Sequence, residues 1–230
     1  QSNVLSLPVG IDRAGIVATV QAVLDRHDVL RSRLVLDGVD DRMEVAESLD
    51  AATVIERVEV PAGADDVAVT GLASVAADAA LGRLDPAAGV MVQFVWFDFG
   101  SDRAGALLVV LHHLVVDGVS WRILVPDFVS AWAQVSSGVV PVLGAVGTSV
   151  RRWAHALAAE AYSESRVAEV PVWASVLEGV DPVLGSRAFD PVVDVESTVE
   201  RLSVRVSAAT TEALLTAVPA AFRGGVNDGL

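Results

Sequence analysis

The 230-residue chain sets 30 acidic against 16 basic side chains, a formal charge of −14 that repels phosphates and argues against a nucleic-acid partner. Its 53% apolar content and mean hydropathy of +0.52 supply ample core, but Asp, Arg, Gly or Ser interrupts every Ala- and Val-rich stretch before it could span a bilayer. With no cysteine, and no basic start leading into an apolar stretch and a cleavage site, a cytoplasmic protein without a membrane or disulfide framework is expected.

In chain order, NVLSLPV alternates as a strand does, and Asp12 can cap a helix whose apolar positions Ile16, Val20, Val23 and Leu24 follow helical spacing to an end near His27. Strands are predicted over 30–36, 43–46 and 53–60, with a DGVDD turn after the first. A helix over 67–81 precedes a long hairpin with arms 90–99 and 104–113 joined by GSDRAG. The second arm, ALLVVLHHLV, is apolar on both faces, as a central strand covered on both sides must be. Asp117 can cap a helix that places Leu124, Phe128, Ala131 and Val135 on one stripe, with Pro126 expected to kink or restart it. Helices over 149–162 and 170–177 follow a loop, SGVVPVLGAVG, that is the best flexible connection. A strand over 197–206 and a helix over 208–218 come last. No internal repeat is present, and the order is mixed α/β, with helices packed on a largely antiparallel or mixed sheet.

The segment HHLVVDGVSW, 112–121, holds the residues with chemistry. Adjacent histidines at a strand end point to opposite faces, so only one can face a given cavity. If His112 turns inward and holds the strand end, His113 projects where strand gives way to loop, with a proton affinity suited to acid or base work near neutral pH. Spacing alone leaves a hydrogen-bonded buried pair equally open. Gly118 permits a backbone conformation or close approach, and Asp117 can brace the turn by capping the next helix or by pairing with an arginine, Arg31 being the candidate. A metal site from His112, His113 and Asp117 is disfavoured because the adjacent rings diverge and no further His or Cys completes a shell. Ser120 beside a histidine invites a hydrolase reading, yet GVSWR lacks the second glycine of a nucleophile elbow, so a helix-capping role is expected. His27 and His155 read as surface or packing residues, and the tryptophans, Trp121, Trp132, Trp153 and Trp173 among them, as mainly core.

HHLVVDGVSW resembles the HHxxxDG motif of the condensation-domain superfamily of non-ribosomal peptide synthetases, whose fold is similar to chloramphenicol acetyltransferase. RHDVLRSRL looks like that family's early arginine motif. TSVRRWAHALAAEA and VPVWASVL resemble its middle helices, and TTEALLTAVPAAFRGGVNDGL the segment crossing toward a second lobe. Within the superfamily, Val119 with SWRIL behind the motif, and the TEALL, VP and VND pattern, look more like epimerization domains than peptide-bond-forming ones.

The resemblance implies an α/β lobe like that of chloramphenicol acetyltransferase, with residues 1–230 forming a partial N-terminal lobe, truncated at both ends, and 207–230 leading toward a second lobe outside the chain. It implies inversion at Cα of an aminoacyl or peptidyl thioester carried on the 4′-phosphopantetheine of a partner carrier protein, with no cofactor or metal bound by the domain itself. His113 matches the catalytic histidine, His112, Asp117, Gly118 and Arg31 the supporting residues, and Ser120 and Trp121 are possible local contributors. The implied partners are the carrier domain, the missing lobe with its opposing acid, and neighbouring synthetase modules. Two alternatives accompany this reading. One is a condensation domain that joins two carrier-bound substrates; the other is a recruitment scaffold that has lost its chemistry.

Overall fold

A strand buried on both faces organises the first of the chain's two compact units, residues 1–168. In the computed structural model, which describes residues 1–39, 41–179, 183 and 185–228, that unit holds six strands. They are β1 (Ser2–Ser6), β2 (Ser32–Val35), β3 (Arg42–Val45), β4 (Ile55–Glu59), β5 (Val92–Asp98) and β6 (Ala106–Leu111). The main sheet runs β1-β6-β5-β4, antiparallel except for the β4/β5 pair, while β2 and β3 form a separate antiparallel ribbon. The mixed sheet and central β6 match the expectation from ALLVVL.

Alternation along β6 sends Leu107, Val109 and Leu111 to one core and Leu108 and Val110 to the other. The first core is roofed by α1 (Arg13–Arg26) and α4 (Trp121–Ser136), the second by α3 (Asp66–Gly82), whose buried residues are Ala76 and Ala80, with Val69, Ala73 and Ala77 partly buried beside them. Asp12 caps α1 as expected, accepting from the Gly15 N–H at 2.7 Å. Gly15 is required by packing: a Cβ there would lie 2.8 Å from the Trp132 ring of α4. The same two helices are joined by Asp127, which accepts from the Arg26 guanidinium at 3.1 Å and meets the His27 Nε2 at 2.6 Å. His27 is therefore a packing residue, whereas His155 is exposed.

Several boundaries differ from expectation for local reasons. The predicted 30–36 strand starts at Ser32, because residues 28–31 close a 3-10 turn. The predicted 53–60 strand begins with a short helix, α2 (Ala51–Val54), whose Ala52 N–H is capped by Asp50. Pro126 neither ends nor restarts α4. It sits one turn inside the helix, so the carbonyl it leaves without an N–H partner belongs to the exposed Arg122. The predicted DGVDD turn includes residue 40, outside the described residues.

Beyond α4, α5 (Val150–Ala161) is capped by Ser149, and α6 (Glu164–Leu177) starts six residues earlier than predicted. Neither has a buried residue, and Trp153 and Trp173 are 59% and 62% exposed, which corrects their expected place in the core. Trp96 is buried, and Trp121 and Trp132 are half-buried.

The second compact unit, residues 169–230, carries α7 (Ala208–Leu215) and α8 (Ala217–Phe222). The single helix predicted over 208–218 is broken at Thr216, since Pro219 has no N–H for the carbonyl of Leu215. The predicted 197–206 strand opens on a 3-10 turn, Glu196–Thr198, and then runs without a ladder partner among the described residues. Leu202, Val204 and Val206 stay exposed; alternating side chains make a strand only when a neighbour takes the backbone N–H and C=O groups. Among the described residues no helix is long and apolar enough to cross a membrane.

Burial predicts contrasting stabilities for a core and an exposed position. Phe94→Ala, which empties a fully buried site packed edge-on against Phe128 at 6.2 Å, should cost about 3–5 kcal/mol in denaturant unfolding. Val204→Ser should change it by less than about 0.5 kcal/mol. A cost below about 1 kcal/mol for Phe94→Ala would show that β5 does not anchor the core.

Candidate active site

The site grows from the end of β6. The last ladder residue, Leu111, exchanges two hydrogen bonds with Gln1, at 2.8 and 2.9 Å, and the His112 N–H donates to Met91 at 2.8 Å. The strand is thus held on both sides up to residue 112, where the backbone turns. His112 is half-buried, and its Nδ1 accepts from the Leu114 N–H at 3.1 Å while its carbonyl accepts from the Val115 N–H at 3.1 Å. That turn drives Val115 and Val116 into the core, 8% and 6% exposed, and leaves His113 exposed at the tip. His112 thus braces the turn, and His113 is exposed beyond the end of the strand.

The next brace is reciprocal. Asp117 Oδ1 accepts from the Ser120 N–H at 2.8 Å and from the Ser120 hydroxyl at 2.7 Å, and the Ser120 Oγ accepts in return from the Asp117 N–H at 3.1 Å. This is a capping box with the acid first and the hydroxyl third after it. Ser120 occupies the N-cap position of α4 but makes no side-chain cap bond to the helix: its hydroxyl serves Asp117, whose carboxylate holds the turn that leads into α4. These same bonds hold the Asp117 carboxyl below the usual carboxylate range, the Ser120 hydroxyl contributing most, then the N–H groups of Ser120 and Val119 and the charge of His113.

Arg31 does not pair with Asp117. Its NH1 donates to the carbonyls of Leu24 and Asp25, and its Nε to that of Ala46 at 3.3 Å, so it ties α1 to β3 through backbone oxygens. The carbonyls that end α1 need donors from outside the helix, whereas Asp117 is already satisfied by Ser120. Gly118 shows neither predicted requirement within the chain: its φ is not positive, and a Cβ there would meet nothing within 4 Å. The space beside it is open.

One participant had no local signal. Gln1 places its side-chain amide between His113 Nε2, at 2.9 Å, and the Trp121 indole N–H, which donates to the Gln1 Oε1 at 2.9 Å. Only the β1–β6 pairing brings residue 1 to residues 113 and 121. The result is an exposed imidazole on a braced loop, flanked by an amide, an indole and a carboxylate at the end of the central strand. Chemically, it can exchange a proton with a ligand that approaches from solvent.

The chain belongs to the condensation-domain superfamily of non-ribosomal peptide synthetases: the model of the Condensation domain family matches residues 1–221. A linear gramicidin synthase polypeptide of Brevibacillus parabrevis is 33% identical over 239 residues, a match that covers 100% of this chain and 3% of that protein. Surfactin synthase subunit 1 of Bacillus subtilis (strain 168) is 32% identical over 144 residues, 62% of this chain and 4% of that protein. Among solved structures, the epimerization domain from the third module of tyrocidine synthetase B agrees with a TM-score of 0.79 at 24% identity, over 99% of this chain and 51% of that one. A structure of condensation domain-mediated chain release from the enacyloxin polyketide synthase agrees with a TM-score of 0.63 at 20% identity, over 79% and 34%. The chain thus spans a few per cent of the length of the curated relatives and about half of the epimerization domain.

The capping box has a titration signature. Asp117 in the folded chain sits below its unfolded value of about 3.9, so its contribution to stability is complete above that pH and is lost as pH falls through the lower, folded value. Ser120→Ala, which removes the largest cause, should raise the Asp117 midpoint in a carboxyl-carbon chemical-shift titration. An unmoved midpoint would assign the depression to the backbone alone.

Proposed function

We propose that this chain is the N-terminal lobe of an epimerization domain, in which His113 exchanges the Cα proton of an aminoacyl or peptidyl thioester. The thioester arrives on the 4′-phosphopantetheine arm of a partner carrier domain; the domain itself binds no cofactor. The observation that carries the reading is the exposed His113 ring, whose Nε2 meets an amide while the turn beneath it is fixed by His112 and the Asp117–Ser120 box.

The chemistry balances with few groups. The Nε2 lone pair takes the Cα proton, the imidazole becomes imidazolium, and the electron pair left on Cα delocalises into the thioester carbonyl as an enolate. A Brønsted acid on the opposite face returns a proton to Cα, and inversion is complete. That acid is assigned to a second lobe. In support, Trp153 and Leu157 of α5 and Trp173 of α6 are exposed apolar side chains.

Epimerization is favoured by Val119, Ser120 and Trp121 behind the motif, by the TEALL, VP and VND pattern, and by agreement of fold along 99% of the chain with an epimerization domain. The matched family model favours a second reading, a condensation domain in which His113 deprotonates or positions the attacking amine. The intact His112, His113, Asp117 and Gly118 speak against a recruitment scaffold without chemistry.

The test uses the full synthetase that contains this chain, with its carrier domain loaded with an L-aminoacyl or peptidyl group in D2O. Deuterium is expected to enter Cα, and His113→Ala should slow entry by about 10²–10⁴-fold. Amide formation on adding a second loaded carrier, with no deuterium at Cα, would overturn epimerization in favour of condensation.

A further inference from the structure

Gln1, far from the loop in sequence, bridges His113 and Trp121, and hydrogen-bond chemistry decides the role of each. The Trp121 indole Nε1 is a donor only, so the atom it meets on Gln1 at 2.9 Å must be the amide oxygen. This fixes the rotation of the amide and turns its NH2 toward His113 Nε2, 2.9 Å away. An amide NH2 accepts nothing, so Nε2 must supply the lone pair. The proton of the neutral ring is therefore on Nδ1, and Nε2 is the basic nitrogen.

The backbone makes this arrangement durable. Gln1 is tied by two hydrogen bonds to Leu111, the last residue of β6 and two before His113, and β1 continues the ladder from Ser2↔Val110 to Ser6↔Ala106. Trp121, at the first turn of α4, is half-buried and packs against the core that holds Leu111. The amide is thus suspended between a sheet edge and a helix start.

We infer that Gln1, held by Trp121, is a positioning residue for proton transfer by His113, selecting the tautomer whose Nε2 carries the lone pair. The inference rests on the proton-transfer reading of His113. The contact distinguishes the two protonation states: once Nε2 has taken a proton it can only donate, and the NH2 of Gln1 no longer has an acceptor there. It is also a bond between neutral groups, weak enough for an incoming Cα–H to displace, whereas a carboxylate in the same place would clamp an Nε2–H instead. An amide at residue 1 therefore favours the base without blocking it.

The test is made in the full synthetase, following solvent deuterium into Cα of the carrier-bound thioester. Gln1→Glu has the same shape and reverses the polarity of the bond. It should lower kcat about 100-fold, keep KM for the loaded carrier within about two-fold, and move the acid limb of the kcat–pH profile at least about one unit upward. Gln1→Leu should lower kcat about 10-fold, and Trp121→Phe, which frees the amide to rotate, by less. A purely structural role for Gln1 would instead be filled by the isosteric Glu. Near-parental rate and pH profile in Gln1→Glu, alongside loss of exchange in His113→Ala, would overturn the inference and leave His113 as the proton-transfer group. Equal losses in the Glu and Leu variants with an unmoved pH profile would overturn it too. Full exchange in His113→Ala would bring down the reading of His113 and this inference with it.

Discussion

Burial of β6 on both faces is the constraint from which the site follows. A strand with Leu107, Val109 and Leu111 in one core and Leu108 and Val110 in the other cannot slip by one residue without exchanging the layers that α1, α4 and α3 cover. Its end is therefore fixed, and the first side chain to leave the strand for solvent is His113. The turn that exposes this ring is held by backbone and side-chain bonds on His112, and the same turn buries Val115 and Val116 as a plug beneath it. His113 thus stands at the end of a strand packed on both faces.

Much of this was legible in the amino-acid order because the signals are local and periodic. An arm apolar on both faces marked β6 as central, Asp12 marked the start of α1, and the HHLVVDG run marked the loop that follows the strand. What could not be read was long-range or depended on competition. Asp117 and Arg31 are complementary in charge, yet Asp117 is satisfied three residues away by Ser120, while Arg31 finds three carbonyls. Gln1 lies 112 residues from His113, and nothing short of the sheet order brings them together. The 197–206 segment alternates like a strand, but pattern describes a face and not the neighbour that must lie against it. The aromatic residues on α5 and α6 misled in the same way, since a helical apolar stripe announces that something covers it without saying what.

The polar groups around His113 come from different parts of the chain. Asp117, its carboxyl held below the usual carboxylate range chiefly by the Ser120 hydroxyl, adds negative charge to the loop. The amide of Gln1 donates only to the unprotonated nitrogen. Charge comes from the loop itself, whereas the directional bond comes from the far end of the sheet.

That division bears on how such synthetases can be recombined. The loop from His112 to Trp121 is a contiguous cassette, but its hydrogen-bond partner belongs to the first strand. A crossover placed between residues 6 and 112 would join a histidine loop from one parent to a β1 edge from another. The chimaera could keep the whole motif and still lose the amide that orients its ring. Residues 1–121 are, in this sense, the smallest inheritable unit of the site, and exchange points that respect it fall after the start of α4.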